Sequence, residues 1–302
     1  VRTRFIRLLA LVLLVVASAA CGDDGGGAPA ATGGALPTAP TSAPSGPTRI
    51  VSLSPTATET LFAIGAGKQV IAVDDQSNHP AEAPRTDLSG FTPNVEAIAA
   101  KKPDLVVFSA DMGGLKKKLD ELGVKSILQP PASTLDQAYG QITELGAATG
   151  RSKEAAQLVT TMKADIDAAI KKVAKPAVAP KVYHELDNTL YSASSKSFIG
   201  ELYTKLGLTN IADAADKSGT GYPQLSNEYV IAQNPDLIVL ADTKCCGQNA
   251  KTIAARPGWG QLKAVTTGSV VEVDDDIASR WGPRTPQLVV QLSAALAKVS
   301  PR

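Results

Sequence analysis

Metal donors are scarce in this chain: 302 residues contain two histidines and three cysteines. A bare zinc ion takes about four nitrogen, sulfur or carboxylate ligands at set spacings. Here His79 and His184 lie far apart, and the adjacent pair Cys245 and Cys246 has no second pair to complete a site. No metal site and no cofactor are expected. An excess of charge of either sign is also lacking, since 30 basic residues against 29 acidic ones leave a formal net charge of +1. No long-range field draws such a chain to nucleic acid, which is excluded as a partner. The nucleophile elbow Gly-x-Ser-x-Gly, the zinc helix His-Glu-x-x-His and the phosphate loop are all absent. Ile64-Gly-Ala-Gly-Lys opens like a dinucleotide fingerprint, but its third glycine is missing and it follows a helical stretch, so it reads as a turn. With no catalytic residue standing out, the expectation is a protein that is not an enzyme.

What is present begins with a leader. Arg2, Arg4 and Arg7 precede an apolar run from Leu8 to Val16 and small residues from Ala17 to Ala20, then Cys21. This order predicts a signal peptide over residues 1–20. The cysteine after it resembles a bacterial lipobox, in which the thiol is acylated. The alternative is a soluble secreted protein cut nearby, leaving Cys21 as a spare thiol. From residue 21 to 47 the chain is almost entirely Gly, Ala, Pro, Ser and Thr, a composition that predicts a disordered tether. The expected location is the cell membrane, lipid-anchored at its extracellular or periplasmic face.

The folded part reads as alternating strands and helices. Arg49-Ile-Val-Ser-Leu-Ser is an apolar, β-branched run closed by Pro55, and a helix follows, with Thr56 or Thr58 as its cap. The pattern repeats through strands at 69–73, 105–108 and 124–128, and again after Pro180 at 181–184, 237–240 and 269–273. Helices are expected around 198–206 and from 286 to 299. The longest helical signal runs from Ser152, a candidate cap, to Lys172. The fold class is therefore α/β, two Rossmann-like lobes with central parallel sheets bridged by one long backbone helix. The lobes are placed at 48–150 and 176–302, with the backbone helix at 151–175.

An internal echo supports that division. Glu96-Ala-Ile-Ala-Ala-Lys-Lys-Pro-Asp-Leu-Val-Val in the first half parallels Glu228-Tyr-Val-Ile-Ala-Gln-Asn-Pro-Asp-Leu-Ile-Val in the second, with Asn94 or Asn227 ahead as a candidate helix cap. Each glutamate is either ordinary charge favoured by a helix N-terminus, or one of two exposed carboxylates marking equivalent points on the lobes.

These stretches, with Tyr222-Pro-Gln-Leu-Ser-Asn-Glu and the closing Arg280-Trp-Gly-Pro-Arg, resemble the cobalamin and iron-chelate binding proteins of bacterial ABC importers. The resemblance spans roughly residues 49–299. It implies a small-molecule ligand, a metal chelate such as a cobalamin, a ferric siderophore or haem, held between the lobes of a monomer. It also implies ABC permease and ATPase subunits as partners, with Glu96 and Glu228 docking on permease arginines. Ligand contacts carried over are Phe91, Tyr222, Arg280 and Trp281, an arginine beside an aromatic being a clamp for anionic or planar groups. A rigid backbone helix further implies a preformed cleft that closes little.

Other residues have two readings. His184, at a strand end, either touches the ligand or is a hydrogen-bonded core histidine. Cys245 and Cys246 form a candidate vicinal disulfide, a thiol metal site being the alternative. Asp111, after the 105–108 strand, is a further cleft candidate. Rival functions are a cell-wall hydrolase with His184 or Asp111 as base, and a surface sensor that has no permease.

Overall fold

The computed structural model describes residues 46–173 and 177–299. The leader, Cys21 and the tether up to residue 45 lie outside the described residues. Strands β1 (Ile50–Leu53), β2 (Val70–Val73), β3 (Leu105–Phe108) and β4 (Lys125–Leu128) form one parallel sheet in the order β2-β1-β3-β4. Around it lie α1 (Pro55–Ala63), α2 (Val95–Ala100), α3 (Leu115–Glu121) and α4 (Leu135–Thr149). Helix α5 (Ser152–Lys171) then leads to the second lobe. There β5 (Lys181–Glu185), β6 (Thr209–Asn210), β7 (Leu237–Leu240) and β8 (Val270–Glu272) repeat the order as β6-β5-β7-β8, again all parallel. Its helices are α6 (Phe198–Lys205), α7 (Asn227–Gln233), α8 (Thr243–Cys246), α9 (Ala250–Ala254), α10 (Lys263–Thr266), α11 (Asp275–Ala278) and α12 (Thr285–Leu296).

β1, β3 and β7 are buried at every position, as strands covered on both faces must be, whereas the edge strand β4 is half open. The echoed Pro-Asp pairs do the same work in each lobe. Asp104 accepts the amides of Thr48 and Arg49 ahead of β1, and Asp236 accepts the amide of Lys181 at the start of β5. Helix starts differ in detail from the sequence reading. Ser54, next to the strand end, caps α1 in place of Thr56 or Thr58, which are already helical. Ser226 caps α7, leaving Asn227 as its first residue, and Ser152 is the first residue of α5 with Arg151 as the cap.

One hydrophobic core runs through both lobes. It joins Ile50 and Val107 of the first sheet to Leu145 on α4, Met162 and Ile166 on α5, Val182 and Val239 of the second sheet, and Leu292 on α12. Helix α5 packs along α4 on one side and α12 on the other.

Polar contacts fasten the same joint. Glu59 on α1, 3 % exposed, accepts from Arg280 at 2.8 Å and from Arg284 through Nε at 2.8 Å. Arg280 also donates to Asn78 at 2.9 Å, to the Gln76 carbonyl at 3.1 Å and to Asp276 at 2.7 Å. Removing the carboxylate strands two guanidinium groups in a site with little water. Glu59→Gln is therefore expected to lower the free energy of urea unfolding by about 3 kcal/mol. The control Glu154→Gln, which breaks the exposed Arg151–Glu154 pair at the start of α5, should leave it unchanged within error.

Candidate ligand-binding cleft

In an open parallel sheet the loops beyond the strand carboxyl ends form a crevice where the strand order reverses. Here the reversals lie between β1 and β3 and between β5 and β7. The two carboxyl edges face each other, because their loops touch. Asn78, beyond β2, donates to Asp276, beyond β8, at 3.0 Å.

Four large apolar side chains are exposed on these loops: Phe91 (72 %) and Met112 (44 %) on the first lobe, Tyr191 (42 %) and Tyr222 (46 %) on the second. Phe91 is placed by Gly90, which lies so close to β1 that a Cβ there would stand 2.5 Å from the Leu53 carbonyl oxygen. Tyr191 and Tyr222 sit on two antiparallel segments, joined by Ser192 donating to the Pro223 carbonyl at 2.9 Å and Leu225 donating to that of Leu190 at 3.0 Å. Asp216 anchors that loop, accepting from Ser194 Oγ at 2.7 Å and the Gly221 amide at 3.0 Å. Phe91 and Tyr222 are the aromatics picked from the sequence. Met112 and Tyr191 were not, although each lies shortly after a predicted strand, and that position was the available signal. Asp111 is exposed beside Met112, and its carboxylate accepts the Lys116 amide at 2.8 Å.

Three sequence candidates are committed elsewhere. His184 does not reach the cleft: it is 1 % exposed, and its Nδ1 shares a 2.6 Å hydrogen bond with the Tyr203 hydroxyl. Burial pushes its pKa down to about 4, so the ring is neutral at pH 7. Arg280 is no ligand clamp, because its guanidinium is spent on Glu59, Asn78, Gln76 and Asp276. Trp281 packs on the shared core and donates its Nε1 proton to Gln141 at 2.7 Å, so it too ties the second lobe to α4. Both residues follow β8 as expected, but apart from Asp276 their partners come from the other lobe, and contacts so distant in sequence leave no local pattern.

Cys245 and Cys246 are joined as a vicinal disulfide in α8, directly after β7 and at the cleft edge. The Asp275 carboxylate holds this turn, accepting the amides of Thr243, Lys244 and Cys245 at 2.9, 2.9 and 3.0 Å. Beneath it lies a buried cluster. Arg256 grips both oxygens of Glu185 at 2.6 Å, and the Tyr183 hydroxyl donates to Glu185 at 3.0 Å. Asp242 is fully buried beside Glu185, and its carboxyl, when protonated, can hydrogen-bond to that of Glu185. Burial, and then the charge of Glu185, push the Asp242 pKa up to about 7, against the opposing pull of Arg256.

Glu96 and Glu228 both occupy the second position of a short helix and are exposed. Each of these helices starts from the carboxyl edge of its sheet.

Two facing α/β lobes on a common core, with apolar side chains exposed on their facing edges, define a two-lobed ligand-binding protein. The chain belongs to the periplasmic binding protein family, whose model matches residues 50–277. It is 32 % identical over 261 residues to the uncharacterized ABC transporter substrate-binding lipoprotein YvrC of Bacillus subtilis, covering 83 % of this chain and 80 % of that one. It is 28 % identical over 261 residues to the vitamin B12-binding protein of Pectobacterium carotovorum, covering 84 % and 90 %. Its structure matches that of a possible iron-binding, periplasmic solute-binding protein of Staphylococcus epidermidis with a TM-score of 0.71 at 27 % identity, covering 82 % and 98 %. These relatives are solute-binding proteins.

Asp242 gives the site a pH signature. From about pH 4 to pH 7 the unfolded chain releases this proton while the folded chain keeps it, so stability falls as pH rises through that window. Urea unfolding at pH 5 and pH 8 should show the unmodified protein losing more stability between the two than Asp242→Asn, which has no proton to release. Equal losses in both proteins would contradict the assignment.

Proposed function

We propose that this protein is the extracytoplasmic receptor of an ABC importer. It captures a metal chelate, a cobalamin or a ferric siderophore, between its lobes and hands it to a membrane permease and its ATPase. It performs no chemistry on the cargo, acts as a monomer, and is held at the membrane by lipid on Cys21. The observation that carries this reading is the set of exposed apolar side chains, Phe91, Met112, Tyr191 and Tyr222, on the facing carboxyl edges of two sheets. A large chelate with flat or apolar faces buries such a surface well, and a few aromatics supply most of the energy. The names of the relatives favour the same cargo class.

The equivalent placement of Glu96 and Glu228 supports their role as the docking pair. Glu96 also stands on the wall of an open groove with Val95, Lys118 and Leu122. Carboxylates so exposed act on encounter and register with a basic partner more than on the protein's own stability.

Native mass spectrometry and fluorescence titration of the purified protein against cobalamin and ferric siderophores should give saturable one-to-one binding to one of them. Silence across the panel overturns the cargo assignment. Phe91→Ala and Tyr222→Ala should each weaken that binding by about 10-fold or more without shifting the melting temperature. The double charge reversal Glu96→Lys, Glu228→Lys should leave ligand affinity unchanged and abolish uptake of the chelate by cells. Uptake at the normal rate would remove both residues from docking.

A further inference from the structure

The one disulfide among the described residues spans a single peptide bond, between Cys245 and Cys246. A disulfide steadies a fold chiefly by closing a loop in the unfolded chain, and the gain grows with the length of that loop. A bond between neighbours closes almost no loop, so its hold is local, on the turn of α8 itself. That turn is tied on two sides. Toward the facing lobe, Asp275 accepts its amides, and Lys244 reaches Asp274 and Asp276 at 2.7 and 2.8 Å. The same Asp276 carboxylate accepts from Asn78 of the first lobe at 3.0 Å and from Arg280 at 2.7 Å. Toward the interior, the Asp242 carbonyl accepts the amides of Cys246 and Gln248 at 3.3 Å, and Gln248 donates to the Cys246 carbonyl at 3.1 Å. Gln248 in turn accepts from Arg256 at 2.9 Å, the arginine that grips Glu185.

The bond is also open to solvent, with Cys245 exposed and Cys246 half-buried. We propose that Cys245–Cys246 is a thiol–disulfide exchange site, and that its oxidation state sets how firmly the α8 turn holds the edge of the cleft. A thiolate of a dithiol reductant attacks Cys245 Sγ, the S–S bond breaks, and Cys246 leaves as a thiolate that takes up a proton. The second thiolate of the reductant then attacks its partner sulfur in the mixed disulfide. That step frees Cys245, which is protonated in turn, and the reductant departs as a disulfide. Two electrons and two protons have then passed to the cysteines. With the small ring open, the backbone torsions on either side of the Cys245–Cys246 peptide are released, and Lys244 loses its fixed approach to Asp276. An oxidising exterior keeps the bond closed and the loop held. The inference does not depend on which molecule the cleft binds.

The test is amide hydrogen exchange read by mass spectrometry on the purified protein, before and after treatment with dithiothreitol. Alkylation with peptide mapping, which separates this pair from Cys21, reports the thiols. Cys245 and Cys246 should resist alkylation until the reductant is added and then both react while the protein stays folded. The amides of 243–248 should exchange at least about 10-fold faster in the reduced protein, with β1 and α5 unchanged and the melting temperature unmoved. Removal of the reductant and reoxidation should restore the slow exchange. The double variant Cys245→Ser, Cys246→Ser should exchange like the reduced protein with or without dithiothreitol, and where it fails to fold, the reduced unmodified protein carries the comparison. Alkylation without reductant, or a bond that dithiothreitol cannot open in the folded protein, overturns the exchange site. Equal exchange in both oxidation states, or unfolding of the whole chain on reduction, overturns the local hold on the turn.

Discussion

The carboxylate of Glu59 is where the two halves of this molecule are held together. It lies on the first helix of the first lobe, while its partners Arg280 and Arg284 come from the far end of the chain. Burying three charges costs several kcal/mol of desolvation per ion, so the arrangement is tolerable only because further acceptors meet the Arg280 guanidinium. Arg280 has four in all: Glu59, Asn78, Asp276 and the Gln76 carbonyl. The loops after β2 and β8 are thereby fixed to each other. Since Phe91 lies further along the loop after β2, its setting depends in part on this joint.

The shared core adds a second constraint. Two lobes with separate cores can rotate about a linker, but here Met162 and Ile166 of α5 belong to the same packed cluster as both sheets. A wide hinge opening would expose that cluster to water at roughly 25 cal/mol per Å² of apolar area. The lobes therefore move little, and ligand recognition falls to side chains already in place and to the loops that carry them.

How much of this was legible in the sequence follows from the range of each interaction. Central strands such as Ile50–Leu53 and Leu237–Leu240 announce themselves because burial on both faces demands continuous apolar residues. The repeat around Glu96 and Glu228 was visible because both lobes solve one local problem, an aspartate tying down the start of the neighbouring strand. β6, only two residues long, has no period to detect. The partners of Arg280 and His184 were out of reach of the sequence for another reason. An arginine beside a tryptophan, or a histidine at a strand end, looks the same whether it faces a ligand or a partner two hundred residues away. Only the folded chain reveals Glu59 opposite the first and Tyr203 opposite the second.

The same distribution bears on what the cleft can hold. Polar groups that could have been chemical tools are bound into structure: Glu185 by Arg256 and Tyr183, Asp275 by the amides of the disulfide turn, and Arg280 by the joint. Committing them inside fixes the geometry of the loops, on which phenylalanine, methionine and tyrosine stand exposed. Such a surface gains free energy by covering apolar area and loses it when it must strip water from an unpaired charge. A rigid frame with polar interior ties and an apolar mouth is thus suited to holding a bulky molecule that brings apolar faces of its own.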